Sequence, residues 1–152
     1  MCYRTSNAPG AAEIAIKEDR KGLCMAKIEI RIKSDEIGTV EAEIDTGLNP
    51  ETADGIVAAL PIEARGNRWG EEIYFSIPVH QSEERSSEVV ERGALGYWPP
   101  GNAFCIFFGR TPASVGDEIR PASPVNVFGK VLGDISRLQR FSSGSKIRIE
   151  KA

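Results

Sequence analysis

MAKIEIRIKSDEIGTVEAEID, residues 25–45, decides the class of fold. Ile28, Ile30 and Ile32 alternate with Lys27, Glu29 and Arg31, and after SDEIG the alternation resumes with Val40, Ala42 and Ile44. A period of two places each apolar set on one face of a strand, and Ser, Asp and Gly supply turn chemistry between the runs. The stretch therefore predicts an antiparallel hairpin with one face dry and one face charged.

Downstream the period changes once. In NPETADGIVAALP (49–61) Ala53, Ile56, Val57 and Leu60 recur at helical spacing, Asn49 is placed to cap, Pro50 suits the first helical position, and Pro61 stops the helix. Glu51 and Asp54 sit where carboxylates favour the positive end of the helix dipole, so they read as helix stabilisers. The remainder is strand-rich: IEARGNRW, EIYFSIPV, ALGYWPP, AFCIFFG, VNVFGKVL and KIRIEK, with a charged loop HQSEERSSEVVERG, a Pro-rich connection RTPASVGDEIRPASP and a second short helix in DISRLQRF. Short strands punctuated by Gly and Pro, with two small helices, predict a mainly β fold: a closed or nearly closed antiparallel barrel of about eight strands. Upstream, residues 1–24 carry NAPG and KEDRKG and no sustained period. They read as a leader, flexible or made from an upstream start at which Met25 is the alternative, with an edge strand through Ile14 and Ile16 as the other reading; residues 25–152 form the barrel domain.

Length and charge exclude several classes. At 152 residues the chain is one ordinary domain that buries roughly two-thirds of its unfolded surface. A net charge of -3 with no basic run speaks against nucleic acid. No apolar stretch reaches the ~20 residues that cross a bilayer, and MCYRTSNAPG lacks the apolar centre of a signal peptide, so a cytoplasmic protein without a membrane partner is expected. Cys2, Cys24 and Cys105 are odd in number and irregularly spaced, which fits reduced thiols rather than a disulfide framework or a zinc site. With a single histidine besides, neither a metal nor a cofactor is expected.

Catalytic patterns are sparse. His80 borders a charged loop with no nucleophile turn nearby, and reads as a surface residue. Glu71 and Glu72 are neighbours whose side chains point to opposite faces of a strand, so they read as solvated charges rather than a facing acid/base pair. Cys105, inside AFCIFF, reads as an inert small hydrophobe with a raised pKa. The aromatic stretch GYWPPGNAFCIFFGRTP (96–112) is the exception. Alternation sends Phe104, Ile106 and Phe108 to one face and Cys105 and Phe107 to the other, while Pro99 and Pro100, which cannot donate to a ladder, bend the chain and present Trp98 at the barrel rim.

The order NPETADGIVAALP, RWGEEIYFSIP, GNAFCIFFG, VNVFGKVLGDISRL, KIRIEK resembles a shortened cyclophilin from Met25 to Lys151. LNPETAD, WGEEIYF, YWPPGNAFCIFFGRTP and SPVNVFGKVLGD are more similar still to a small prokaryotic family of cyclophilin-like proteins of unassigned function, found in archaea and bacteria. The resemblance implies an eight-stranded barrel capped by two helices. Cyclophilins twist prolyl peptides with an arginine after Phe-His on the strand following the first helix; that place falls on or next to Ser76 here, and no arginine is there. The Phe-Met-Gln-Gly-Gly-Asp segment that follows in cyclophilins is replaced by the loop Gln81–Arg92, and of the paired phenylalanines Phe108 matches the position lining the proline pocket.

Three readings follow. The first is a binding module with little or no prolyl isomerase activity, taking a peptide or small molecule in a groove lined by Tyr74, Trp98, Phe104 and Phe108, with Arg110 at its edge to meet an anionic group. The second is an isomerase in which Arg110 or Arg68 replaces the missing arginine. The third is a structural or oligomeric barrel whose groove is filled; homo-oligomerisation is left open by the sequence.

Overall fold

The computed structural model describes residues 14–18 and 24–152. Along the chain run β1 (Ile14–Glu18), β2 (Cys24–Ser34), β3 (Gly38–Asp45), α1 (Pro50–Ala59), β4 (Ile62–Arg65), β5 (Asn67–Arg68), β6 (Glu72–Ser76), β7 (Ala94–Trp98), β8 (Ala103–Phe107), β9 (Asn126–Val131) and β10 (Lys146–Lys151). The predicted hairpin is β2 with β3. Ile28 pairs with Ile44, Ile30 with Ala42 and Ile32 with Val40, all buried. The charged residues between them face outward, where Lys27 meets Glu43 at 3.5 Å and Arg31 meets Glu41 at 3.3 Å. The alternation has sorted core from solvent as the pleat requires.

Around the sheet the order is β4-β10-β2-β3-β9-β7-β8-β6-β5. The two ends of this path, β4 and β5, are consecutive in the chain with only Gly66 between them, so the sheet curls round and meets itself. A Cβ on Gly66 would lie 2.6 Å from the Phe141 ring, which closes the barrel over this seam. IEARGNRW, read as one strand, is divided there into two, so nine strands follow one another where about eight were expected. β1 adds a tenth. It pairs with β2 from Ile14–Ile28 to Glu18–Cys24, on the edge where β10 pairs from Arg148–Lys33 to Lys151–Ile30. The edge strand read as the alternative for the leader is thus present over Ile14–Glu18; the rest of that segment, residues 1–13 and 19–23, lies outside the described residues.

The barrel interior is filled by the β2–β3 aliphatics and by an aromatic group: Phe75 stacks on Phe104 at 5.1 Å, and Phe104 meets Phe128 edge-on at 5.1 Å. α1 covers one end with Ala53, Ile56 and Val57 buried. The second short helix is a 3-10 segment, Ile135–Arg140, which places Leu138 in the core and is capped by Asp134, whose carboxylate accepts from the Ser136 N–H at 3.0 Å.

Asn49 does not cap α1 with its side chain. Its amide donates to the Val127 carbonyl at 2.7 Å and its Oδ1 accepts from the Arg85 N–H at 2.6 Å. The first amides of the helix turn instead to Glu84, whose carboxylate accepts from the Glu51 N–H at 3.2 Å, the Thr52 N–H at 3.1 Å and the Thr52 hydroxyl at 3.1 Å. Asn126 completes the network, donating to Thr52 Oγ1 at 3.0 Å and accepting from the Glu84 N–H at 2.9 Å. The charged loop is therefore strapped to the barrel by the helix terminus it caps.

Candidate functional site

Cross-strand register determines which side chains can meet. Tyr74 on β6 pairs with Cys105 on β8, Glu72 with Phe107, and Trp98 on β7 with Ala103. Paired residues share a face, so Glu72, Tyr74, Trp98, Cys105 and Phe107 all stand on the outside of the barrel wall, while Phe104, Ile106 and Phe108 stand inside. The outer face is dry here because the Pro-rich connection folds back over it. Val90, Ala94, Cys105, Phe107, Ile119 and Val125 make a second buried cluster. Isolated bridges Ser87–Val125 and Val90–Ile119 tie the connection to the charged loop, and Thr111 Oγ1 donates to the Arg120 carbonyl to hold its bend.

Between this cover and the wall lies a cavity of about 280 Å³. Trp69, Tyr74 and Trp98 form its aromatic sides, Pro121, Ala122 and Val125 its aliphatic side, and Glu72 its one ionisable carboxyl. Pro99–Gly101 forms the expected bend, and Trp98 is half-buried. Its indole N–H donates to Ser123 Oγ at 2.6 Å. A Cβ at Gly101 would come within 2.7 Å of the Trp98 ring, so the bend needs glycine for the ring to lie against it.

Glu72 differs from its reading as a solvated charge. It is 5% exposed, and burial pushes its pKa up to about 7, with a smaller opposing effect from hydrogen bonding to the Cys105 thiol, which also lies 3.9 Å from the Ala103 carbonyl. Among the described residues no other hydrogen bond reaches its carboxyl. Burial drives the Cys105 thiol well above its ordinary value too, and the neighbouring Glu72 charge adds to the rise. Period-two alternation about Ile73 puts Glu72 on the same face as Tyr74. What it could not give was the cover, which arrives from a segment some fifty residues later; the apolar residues Ile119, Pro121 and Val125 in that segment were the available signal.

The five residues expected around one groove are divided. Tyr74 and Trp98 line the aromatic cavity. Phe104 is fully buried in the barrel core, against Phe75 and Phe128, and cannot contact a ligand. Phe108 is 1% exposed. It borders, with exposed Arg110, a separate shallow cleft that also holds Arg92, Asp117 and Glu118. Among the described residues the Arg110 side chain reaches only the Ser114 carbonyl, at 3.4 Å. Arg68 is a structural cation: its guanidinium lies 5.0 Å over the Phe108 ring and donates to the carbonyls of Gly70, Gln139 and Phe141 at 2.9–3.1 Å. Ser76, at the place of the cyclophilin arginine, is exposed and donates to the Gly101 carbonyl at 3.2 Å. His80 is exposed, as expected. Among the described residues no group of His, Cys, Asp and Glu could hold a metal ion, and no helix is long and apolar enough to cross a membrane.

Comparison with known proteins adds two findings. A family model described as cyclophilin-like matches residues 26–150. The solution structure of a hypothetical protein from Archaeoglobus fulgidus is 41% identical and superimposes with a TM-score of 0.70, over 83% of this chain and 95% of that one. No curated protein matches the chain.

Proposed function

The chain belongs to the cyclophilin-like family, and on that premise we propose that it is a binding module, taking a small ligand in the aromatic cavity on its outer wall, with little or no prolyl isomerase activity. The observation that carries this reading is the composition of the cavity: among the described residues three aromatic side chains and one buried carboxyl line it, and no guanidinium does. Cyclophilins lower the barrier of about 18–20 kcal/mol with an arginine that supports the amide nitrogen as conjugation is lost. Of the two arginines able to substitute, Arg68 is spent on backbone carbonyls and Arg110 lies in solvent beside a Phe108 ring that offers almost no surface. An open, mostly apolar concavity with a single converging polar group is the usual form of a small-molecule site.

Two measurements test it together. An isomerase assay on an Xaa-Pro peptide should leave the exchange at its uncatalysed rate, tens to hundreds of seconds. A small-molecule panel followed by the indole N–H signals of Trp69 and Trp98 should shift those signals. Cyclophilin-like turnover abolished by Arg110→Ala or Arg68→Ala would replace the binding reading with the relocated-arginine enzyme.

A further inference from the structure

Taking that cavity as the binding site, we infer that the ligand it takes carries a small alkylated ammonium group, seated among Trp69, Tyr74 and Trp98 above the carboxyl of Glu72. The inference rests on the proposed function and narrows it to a chemical class. Charge makes the first selection: among the described residues the lining holds an acid and no base, so an anionic group would meet repulsion with nothing there to offset it. Solvation makes the second. A carboxyl 5% exposed, with only a thiol as partner among the described residues, is ionised at a cost that an opposite charge in the cavity would relieve. The aromatic sides make the third. Trp and Tyr rings attract cations through their quadrupoles, and a quaternary or methylated ammonium, which has few or no N–H groups to satisfy, suits walls that offer few acceptors.

Size and hydrogen bonding agree. About 280 Å³ lies just below the roughly 300–1,000 Å³ of sites that enclose whole drug-sized ligands, which fits a head group better than a complete cofactor. The Trp98 N–H is already taken by Ser123. That leaves the apolar surface of the indole, not its donor, for the ligand.

The experiment titrates the full chain, at about pH 8 where Glu72 is mainly ionised, with choline, with the neutral isostere of choline in which tert-butyl replaces trimethylammonium, and with a peptide bearing trimethyllysine. The Trp69 and Trp98 indole signals report binding. Choline should bind at least about tenfold more tightly than its isostere, and Glu72→Gln should remove that preference while the isostere still binds. Tighter binding of the peptide than of choline would assign the ammonium group to a modified protein, and the reverse order to a free small cation. Equal affinity of choline and isostere overturns the cation inference and leaves the binding site standing. If neither cation nor isostere moves the indole signals, the site itself falls. A preference that survives Glu72→Gln overturns the part given to the carboxyl, and should that variant fail to fold, the wild-type comparison still decides.

Discussion

Glu72 is one residue from Ile73, yet the two meet opposite worlds: Ile73 packs inside the barrel and Glu72 under the connection that covers its outside. The buried carboxyl makes stability depend on pH in a stated direction. Its folded pKa, about 7, is above the ordinary value of 4.5, so the folded protein holds the proton more tightly than the unfolded chain. Stability from this group is complete below pH ~4.5 and is lost as pH rises through ~7, by roughly 3 kcal/mol in all. Cys105 faces the carboxyl as a neutral thiol across that window, its own pKa raised by burial. Glu72→Gln should therefore melt close to wild type near pH 4.5 and at least about 4 °C higher near pH 8. Parallel melting curves at both pH values would refute the burial cost. The sequence revealed the face of this residue but not its environment. Period-two alternation reports the side of a strand, and nothing local reports which distant segment lies over that side. For the same reason aromatic character alone unites Phe104 and Phe108 with Tyr74 and Trp98, whereas cross-strand pairing puts Tyr74 with Cys105 and so away from both phenylalanines.

At the scale of elements, the strands were legible because each carries its own pattern, and α1 because its apolar residues keep helical spacing up to Pro61. The cap was not. Asn49 has the right chemistry and position, yet its side chain is committed to Val127 and Arg85, and the carboxylate that meets the helix amides comes from a loop thirty-odd residues away. A loop crowded with charge reads as solvated, and most of its residues are indeed exposed; the few that hold it are chosen by partners remote in sequence. Glu84→Ala should cost about 1–2 kcal/mol, or roughly 3–6 °C in melting temperature, because it leaves two backbone amides and the Thr52 hydroxyl without their acceptor. Amide exchange across residues 81–92 should quicken as the strap loosens. An unchanged melting temperature with unchanged exchange would mean that Asn126 and Asn49 hold the loop without it.

For the whole molecule, the seam at Gly66 was the least visible feature. A run with one interior glycine looks like a single strand, and only the global order places β4 at one end of the sheet and β5 at the other. The aromatic cavity belongs to this scale too, since its sides come from β6, β7, the β5–β6 turn and the connection after β8. The paired edge of β2 leads to one more consequence. Lys151 faces Ile30, the Ala152 N–H donates to the Glu29 carbonyl at 3.0 Å, and Ile14 faces Ile28. β10 and β1 thus occupy successive rungs of one ladder, running the same way and without a gap in register. With residues 1–13 left out, Ala152 could be spliced directly to Ile14 as one unbroken strand, with fresh chain ends opened beside Val115, which is 86% exposed. Such a circularly permuted gene should yield a barrel with wild-type circular dichroism and indole spectra, and a permutant that cannot fold would show that the two strands are rivals for the ladder rather than neighbours on it.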